Sequence, residues 1–275
     1  MAQNVPLPEE GASWALFLDV DGTLLPIAAT PEAARPQPAL LPLLERLSRG
    51  CERALALVSG RSLASIDRLF APFRPAAAGL HGWERRRSDG SLVPQNEPSG
   101  LLARLRPRLE TYVRARPGLM LEDKGGSLAL HYRQAPERGA ALLRLVRRLA
   151  RAEPELHVIA GRKVVEVQPL GADKGAAIRA FLAEPPFAGR RPVFAGDDTT
   201  DEHGFEAVNE LGGLSVRVVD AETRMRSTSA RYTLESVDEL HCWLGEVAQR
   251  FDAPKGTAGF GSAVREHRPQ RSACQ

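Results

Sequence analysis

The chain has 275 residues, of which 43% are hydrophobic and 26% are charged, a balance typical of a globular protein. No apolar run approaches the roughly 20 residues of a membrane helix, and the N-terminus lacks the features of a secretory signal, so we expect a cytoplasmic protein without a membrane partner. The formal charge of +3 is scattered over arginines and glutamates along the whole chain, without a basic stripe interleaved with aromatics, so we expect no nucleic-acid partner.

The first part of the chain alternates strand-like and helical patterns. The apolar run "WALFLDV" predicts a buried strand, and "PALLPLLERLSRG" predicts a helix that ends at Gly50. A second strand, "RALALVSG", precedes the helix "SLASIDRLFAPF", and "AAAGLHG" predicts a short third strand. This strand–helix order indicates a doubly wound parallel sheet.

After Trp83 the pattern changes to helices that are followed by paired strands. The first amphipathic helix, "LLARLRPRLETYVRA", precedes the strands "LMLEDKG" and "SLALHYR", and the second, "RGAALLRLVRRLARA", precedes "LHVIAG" and "KVVEVQP". The connecting turns "KGGS" and "AGRK" are typical of hairpins. Residues 88–167 are therefore predicted to form an α+β domain of their own.

Strand–helix alternation resumes after this insertion, from "GADKGAAIRAFL" through "RPVFAGDD" and "TDEHGFEAVNEL" to "LSVRVV" and "VDELHCWLGEVAQ". The predicted fold class is α/β, with a doubly wound, Rossmann-like core of residues 13–87 and 168–250 that carries the inserted domain of residues 88–167. Residues 1–12 are expected to be a flexible N-terminus. Residues 251–275, rich in Gly, Arg, Pro and Ser, are expected to be a disordered tail.

Polar residues follow the predicted strands at the edge where ligands bind in open parallel sheets. They are Asp19 and Asp21 after the first strand, Ser59 with Gly60 and Arg61 after the second, Asp197 and Asp198 after "RPVFAG", and Lys174 near the start of a helix. Crowded carboxylates need a cation, and hard oxygen ligands favour Mg²⁺, which also takes phosphate oxygens. A carboxylate can serve as a nucleophile that forms an aspartyl-phosphate, and a second carboxylate can protonate the leaving oxygen.

The stretches "DVDGTL", "VSGR", "ADKG" and "GDDTTDE", in this order, resemble the four motifs of the haloacid dehalogenase superfamily of phosphatases. The insertion between the second and third motifs is similar to the C2-type cap of that superfamily. More narrowly, "GLHG", "LEDKGGSLALHYR" and "GRKVVEVQP" resemble the trehalose-6-phosphate phosphatases, over residues 13–250. The resemblance implies a Mg²⁺-dependent phosphoric monoester hydrolase that converts trehalose 6-phosphate into trehalose and phosphate.

The same resemblance implies roles for individual residues. The implied catalytic residues are Asp19 as nucleophile, Asp21 as general acid and base, Ser59 as a phosphate ligand and Lys174 as the neutralising cation. The implied metal residues are Asp19, Asp21 through its main-chain carbonyl, Asp197 and Asp198, with Asp201 nearby. The implied substrate-binding residues are Asp19, Asp21, Ser59, Gly60, Arg61, His81, Gly82, Glu122, Lys124, Glu166 and Asp201, of which Glu122, Lys124 and Glu166 match cap positions that bind disaccharide hydroxyls. By contrast, His131 and His157 are expected to be surface or edge-strand residues.

Other functions stay open on the sequence alone, because substrate choice depends on the cap rather than on the catalytic motifs. One alternative is a phosphomutase or another sugar phosphatase, of the sucrose-phosphate or mannosyl-phosphoglycerate type. Another is a non-catalytic regulator that binds a phosphorylated sugar. We expect a monomer whose partner is a small-molecule substrate.

Overall fold

The computed structural model describes residues 5–28, 30–94, 99–171, 173–220 and 224–253. Residues 1–4 of the predicted flexible N-terminus and residues 254–275 of the predicted tail lie outside the described residues. Among the helices within these ranges, none has the length and apolar character needed to cross a membrane.

The described residues form strands and helices in the following order. The strands are β1 (Trp14–Leu18), β2 (Leu55–Val58), β3 (Ala76–Gly79), β4 (Glu84–Arg86), β5 (Met120–Asp123), β6 (Leu128–His131), β7 (Leu156–Gly161), β8 (Val164–Pro169), β9 (Arg191–Gly196), β10 (Leu214–Val218) and β11 (Tyr232–Leu234). The helices are α1 (Leu40–Gly50), α2 (Leu63–Phe70), α3 (Ser99–Arg114), α4 (Gly139–Ala150), α5 (Lys174–Leu182), α6 (Glu202–Glu210) and α7 (Val237–Asp252).

The larger sheet has seven strands in the order β11-β10-β9-β1-β2-β3-β4, all parallel except β4, which runs antiparallel to β3. The chain moves outward from β1 through β2 and β3, and returns through β9 on the other side of β1. The gap between the carboxyl ends of β1 and β9 is therefore the switch point at which open α/β sheets bind ligands. The α/β fold class predicted from the sequence is confirmed.

The core of this sheet explains why its strands are continuous apolar runs. Every residue of β1 and β2 is buried, because helices cover both faces of a parallel sheet. Helix α1 packs against α7, and α5 packs against α6. Phe17 on β1 stacks on Phe187, with ring centroids 5.4 Å apart.

The smaller sheet has four antiparallel strands in the order β5-β6-β8-β7, so both predicted hairpins form. Helix α3 contacts β5, and helix α4 contacts β7 and β8. This unit has a separate apolar core, which includes Leu109, Leu130, Leu142 and Val167. The limits of residues 88–167 for an inserted domain remain a prediction.

The structure contains features that the sequence did not predict. Two short strands, β4 and β11, were not predicted, because three residues carry too little periodicity to be recognised. Two segments predicted to be flexible or disordered, residues 5–6 and Phe251, contact the larger core. Val5 is buried in the larger core, and the Pro6 carbonyl accepts a hydrogen bond of 3.2 Å from Trp243 Nε1.

Candidate functional site

The loop that leaves β1 turns sharply against the end of β9. Asp19 is buried, and its main-chain N–H donates to the Ala195 carbonyl at 3.0 Å. Gly22 has a φ of +90°, and a Cβ atom there would lie 2.1 Å from Asp197 Oδ2. Glycine is therefore required both by the left-handed backbone and by the close approach of the Asp197 carboxylate.

Three buried carboxylates converge at this point, from Asp19, Asp197 and Asp201. One oxygen of each lies within 4.8 Å of the others. The Nζ atom of Lys174, at the start of α5, donates to Asp19 Oδ1 and to Asp201 Oδ1, at 2.6 Å each. Burial alone would lower the pKa of Lys174, but the two carboxylates outweigh it and raise that pKa above its ordinary value.

The electrostatics of the carboxylate cluster favour a bound cation. Burial raises the pKa of Asp19 to about 7, although the Lys174 ammonium opposes the shift. Burial, together with the charges of Asp19 and Asp201, raises the pKa of Asp197 well above its ordinary value. One ammonium does not balance three carboxylates, and this all-oxygen donor set fits a hard divalent cation.

Asp198 was expected beside the metal, but it does not belong to this cluster. Its Oδ2 atom accepts a hydrogen bond of 3.0 Å from the main-chain N–H of Arg162, and its Oδ1 atom lies 3.5 Å from the Arg226 guanidinium. Asp198 occupies the N-cap position of the short turn at residues 199–201. These partners hold the Asp198 carboxylate against the β7–β8 hairpin. Asp201 accepts main-chain N–H groups from Asp197 and Asp198 at 3.0 Å each, which fixes the loop.

The ends of β1 and β2 are joined by Asp21 and Arg61. The buried guanidinium of Arg61 donates to both carboxylate oxygens of Asp21, at 2.6 and 2.7 Å. Ser59 is buried, and its Oγ atom accepts the main-chain N–H of Arg61 at 3.2 Å. The loop of residues 59–61 therefore lies directly against Asp21.

The smaller sheet contributes a second group of charges, around Glu166 on β8. Lys124 Nζ donates to Glu166 Oε2 at 3.1 Å and to the Gly60 carbonyl of the larger unit at 2.7 Å. Ser127 Oγ donates to Glu166 Oε1 at 2.5 Å, and the His81 Nε2 atom lies 3.4 Å from Oε2. Burial alone would raise the pKa of Glu166, but Lys124 and His81 outweigh it and hold the pKa well below its ordinary value.

A chamber of about 180 Å³ lies between the two sheets. The residues predicted for the site that line it are Asp19, Asp21, Ser59, Gly60, Arg61, His81, Glu122, Lys124, Glu166, Lys174, Asp197, Asp198 and Asp201. Gly82 does not line it. A Cβ atom on Gly82 would lie 2.7 Å from the Asp173 carbonyl, so this glycine packs behind the chamber, against the N-terminus of α5.

Other chamber residues were missed by the sequence analysis. His131 was expected at the surface or on an edge strand, yet it lies on the inner strand β6 and lines the chamber, with its Nε2 atom 2.9 Å from Glu122 Oε2. Arg133 also lines the chamber and donates to the Ala28 carbonyl at 2.8 Å. The available signal was the alternation along "SLALHYR", which places residues 129 and 131 on one face of β6. His157 is exposed, as expected.

Comparisons with known proteins agree with the resemblance seen in the motifs. Residues 17–238 match the trehalose-phosphatase family. The chain is 41% identical to the trehalose-6-phosphate phosphatase of Escherichia coli over 237 residues, which cover 86% of this chain and 87% of that protein. It is 47% identical to a probable trehalose-phosphate phosphatase of Sinorhizobium fredii over 207 residues, which cover 75% of this chain and 78% of that protein.

The fold has relatives among solved structures as well. A trehalose-6-phosphate phosphatase related protein superposes with a TM-score of 0.71 at 27% identity, and the match covers 86% of this chain and 97% of the other. The family match, the two relatives and the similar solved structure all indicate a trehalose phosphatase. The chain therefore belongs to the trehalose-phosphatase family.

Proposed function

We propose that the chain hydrolyses trehalose 6-phosphate to trehalose and inorganic phosphate, with Asp19 as nucleophile and Mg²⁺ as cofactor. The observation that carries this proposal is the position of Asp19, buried at the sheet edge between Lys174 and Asp197, in a chamber whose far wall comes from the smaller sheet. A carboxylate in this position can react with a phosphoryl group, and the far wall can contact the rest of the substrate.

In the proposed reaction, an Asp19 oxygen attacks phosphorus, and the bond from phosphorus to the sugar oxygen breaks. Asp21 gives a proton to that oxygen, so trehalose leaves as a neutral alcohol. Water then attacks the aspartyl-phosphate while Asp21 takes a proton from it, and phosphate and the Asp19 carboxylate are released. Lys174 is already hydrogen-bonded to Asp19 and can neutralise charge on the phosphoryl oxygens during both steps. Ser59, buried at the end of β2, would donate its hydroxyl to the same oxygens.

The residues that would hold Mg²⁺ are Asp19 and Asp197, with the Asp21 main-chain carbonyl completing the set. When bound, the ion would offset negative charge on the phosphate and on the crowded carboxylates. Asp201 is engaged by Lys174 and by two main-chain N–H groups, so we assign it to holding the loop in place.

The sugar end of the proposal rests on charged groups of the smaller sheet. Lys124, Glu122 and His131 line the chamber wall opposite Asp19 and carry the donors and acceptors that hydroxyl groups require. A sugar that leaves such groups unpaired is bound poorly, because a buried polar group without a partner is unfavourable. Glu166 is shared among Lys124, Ser127 and His81, so we assign it to orienting Lys124.

Phosphate release from a panel of phosphate esters tests this function. We expect trehalose 6-phosphate to be hydrolysed with a higher kcat/KM than sucrose 6-phosphate or glucose 6-phosphate, and a chelator to stop the reaction. Faster release from either of the other sugars would assign the chain a different substrate. No release from any ester, with binding retained, would favour the sugar-phosphate-binding regulator.

The Lys124→Ala variant tests the role of the smaller sheet. Loss of a charged hydrogen-bond donor should lower kcat/KM for trehalose 6-phosphate by about tenfold to a hundredfold. The small ester para-nitrophenyl phosphate does not extend to the sugar wall, so its hydrolysis should fall much less. Arg114→Ala, which removes an exposed cation from α3, is the matched control and should alter neither rate. Equal losses on both substrates would mean that Lys124 supports the fold or the phosphate end.

A further inference from the structure

The tip of the β7–β8 hairpin, residues 160–163, touches the larger unit beside the carboxylate cluster. The main-chain N–H of Arg162 donates to Asp198 Oδ2 at 3.0 Å, and the Arg162 guanidinium forms an ion pair with Asp220, just after β10. Thr199 Oγ1 lies 3.4 Å from both the Ala160 carbonyl and Asp198 Oδ1 and can donate to either. Three contacts therefore join the hairpin tip to the loops that follow β9 and β10.

The hairpin tip is also part of the chamber wall. Gly161 and Arg162 line the chamber, together with Ile159 and Val164 on the flanking strands. Asp198, which holds the tip, directly follows Asp197 of the carboxylate cluster. One short loop thus carries a carboxylate for the reaction centre and a carboxylate for the chamber wall.

We propose that Asp198 and Asp220 lock the hairpin tip over the chamber, and that Asp198 is a positioning residue for substrates long enough to reach the tip. The inference rests on the proposed function, since it concerns closure over the sugar. Asp198 is suited to this role because both its oxygens face groups outside the carboxylate cluster. Within its own turn, the Thr199 hydroxyl also lies 3.4 Å from Asp198 Oδ1.

The ion pair between Arg162 and Asp220 can open and close. The side chain of Asp220 is 42% exposed and that of Arg162 is 18% exposed, so water screens their attraction. An ion pair of this kind is weak enough to open for substrate entry and product release, steps that lids commonly control. The hydrogen bond from the Arg162 N–H to Asp198 defines the closed position of the tip, because it forms only when the tip lies against the loop that follows β9.

Two variants test the lock on substrates of different size. In Asp220→Ala, we expect kcat/KM for trehalose 6-phosphate to fall about twofold to fivefold, because the tip loses its ion pair, while para-nitrophenyl phosphate is hydrolysed as before. In Asp198→Ala, the kcat/KM for trehalose 6-phosphate divided by that for para-nitrophenyl phosphate should fall further than in Asp220→Ala. Asp198→Asn should recover most of that ratio, since its amide oxygen can still accept the Arg162 N–H. Unchanged ratios in both alanine variants would overturn the proposal, as would a failure of the asparagine variant to recover.

Amide hydrogen exchange at residues 160–163 tests the lock without any substrate. Exchange should be faster in Asp220→Ala and Asp198→Ala than in the unaltered chain, because the tip opens more often. Wild-type exchange rates in both variants would overturn the lock even if activity fell. If the unaltered chain releases no phosphate from trehalose 6-phosphate, the proposed function fails, and the exchange measurement still decides whether the lock exists. Asp220 is partly exposed, so its alanine variant should fold even where Asp198→Ala does not.

Discussion

Arg61 holds Asp21 through two hydrogen bonds, from Nε to Oδ2 at 2.6 Å and from Nη2 to Oδ1 at 2.7 Å. Both oxygens of the proposed general acid and base are therefore engaged. Each oxygen keeps a second lone pair with which it can contact the leaving group or a water molecule. The fork of the guanidinium also fixes the plane of the carboxylate, which a single point charge does not do.

The first prediction concerns this pair. Arg61→Ala should lower kcat by about a hundredfold, near the lower limit of what general acid–base catalysis contributes, because the Asp21 carboxylate loses its orientation. Arg61→Lys keeps the charge but loses the paired hydrogen bonds of the guanidinium. Its kcat should lie between those of Arg61→Ala and the unaltered chain. Steady-state kinetics on trehalose 6-phosphate measure the effect. Wild-type kcat in both variants would show that Asp21 needs no orientation by Arg61.

The second prediction concerns the nucleophile. Asp19→Asn should abolish turnover, because an amide is neither a nucleophile toward phosphorus nor a good magnesium ligand. Folding should be retained, since the amide has nearly the same shape and Lys174 keeps its hydrogen bond to Asp201. Phosphate release and circular dichroism measure the two effects. Appreciable activity in a well-folded Asp19→Asn sample would contradict the covalent mechanism.

The third prediction is that Mg²⁺ stabilises the folded chain. A ligand that binds only the folded state adds about 2.7 kcal/mol when its free concentration is a hundred times Kd. The cation should therefore raise Tm, and a chelator should reverse the rise. Sodium chloride at the same ionic strength is the control for general screening. An Asp197→Asn variant that shows the full rise in Tm would argue against Asp197 as a ligand.

The fourth prediction uses two glycines with nearly the same positive φ. Gly22→Ala places a Cβ atom 2.1 Å from Asp197 Oδ2, so the rise in Tm with Mg²⁺ should disappear and turnover should fall sharply. Gly171 also has a left-handed φ, of +87°, but a Cβ there meets nothing within 4 Å. Gly171→Ala should therefore lose about 1 kcal/mol of stability through its backbone and keep the response to Mg²⁺. Equal responses in the two variants would mean that the close approach of Gly22 to Asp197 is unimportant.

The fifth prediction concerns pH and the Glu166 carboxylate. Its pKa in the folded chain lies below the ordinary value of 4.5, so the stability it contributes is present above pH 4.5 and is lost as pH falls through the folded-state pKa. The stability difference between the unaltered chain and Glu166→Gln should be constant from about pH 8 to about pH 9 and should shrink in acid. Urea unfolding of both proteins across this range measures it. A difference that changes between neutral and alkaline pH would implicate another group.

Local sequence patterns were sufficient to predict much of the fold and the family. The strands of the parallel sheet are buried on both faces, so β1 and β2 read as continuous apolar runs. Residues at strand ends meet at one sheet edge whatever the details of packing, which is why Asp19, Ser59 and Asp197 could be expected near one another. These features follow from the order of strands and helices along the chain.

The arrangement of side chains between the two sheets depended on tertiary structure. Asp198 follows Asp197 directly, yet its partner is Arg162, which lies 36 positions earlier in the chain. His131 lies on a strand that could face solvent or the chamber, and only the packing of one sheet over the other turns it inward. Hydrogen bonds between distant segments leave no periodic trace in a sequence. Their partners are chosen by where the two units meet in space, and that is why the chamber wall needed the structure.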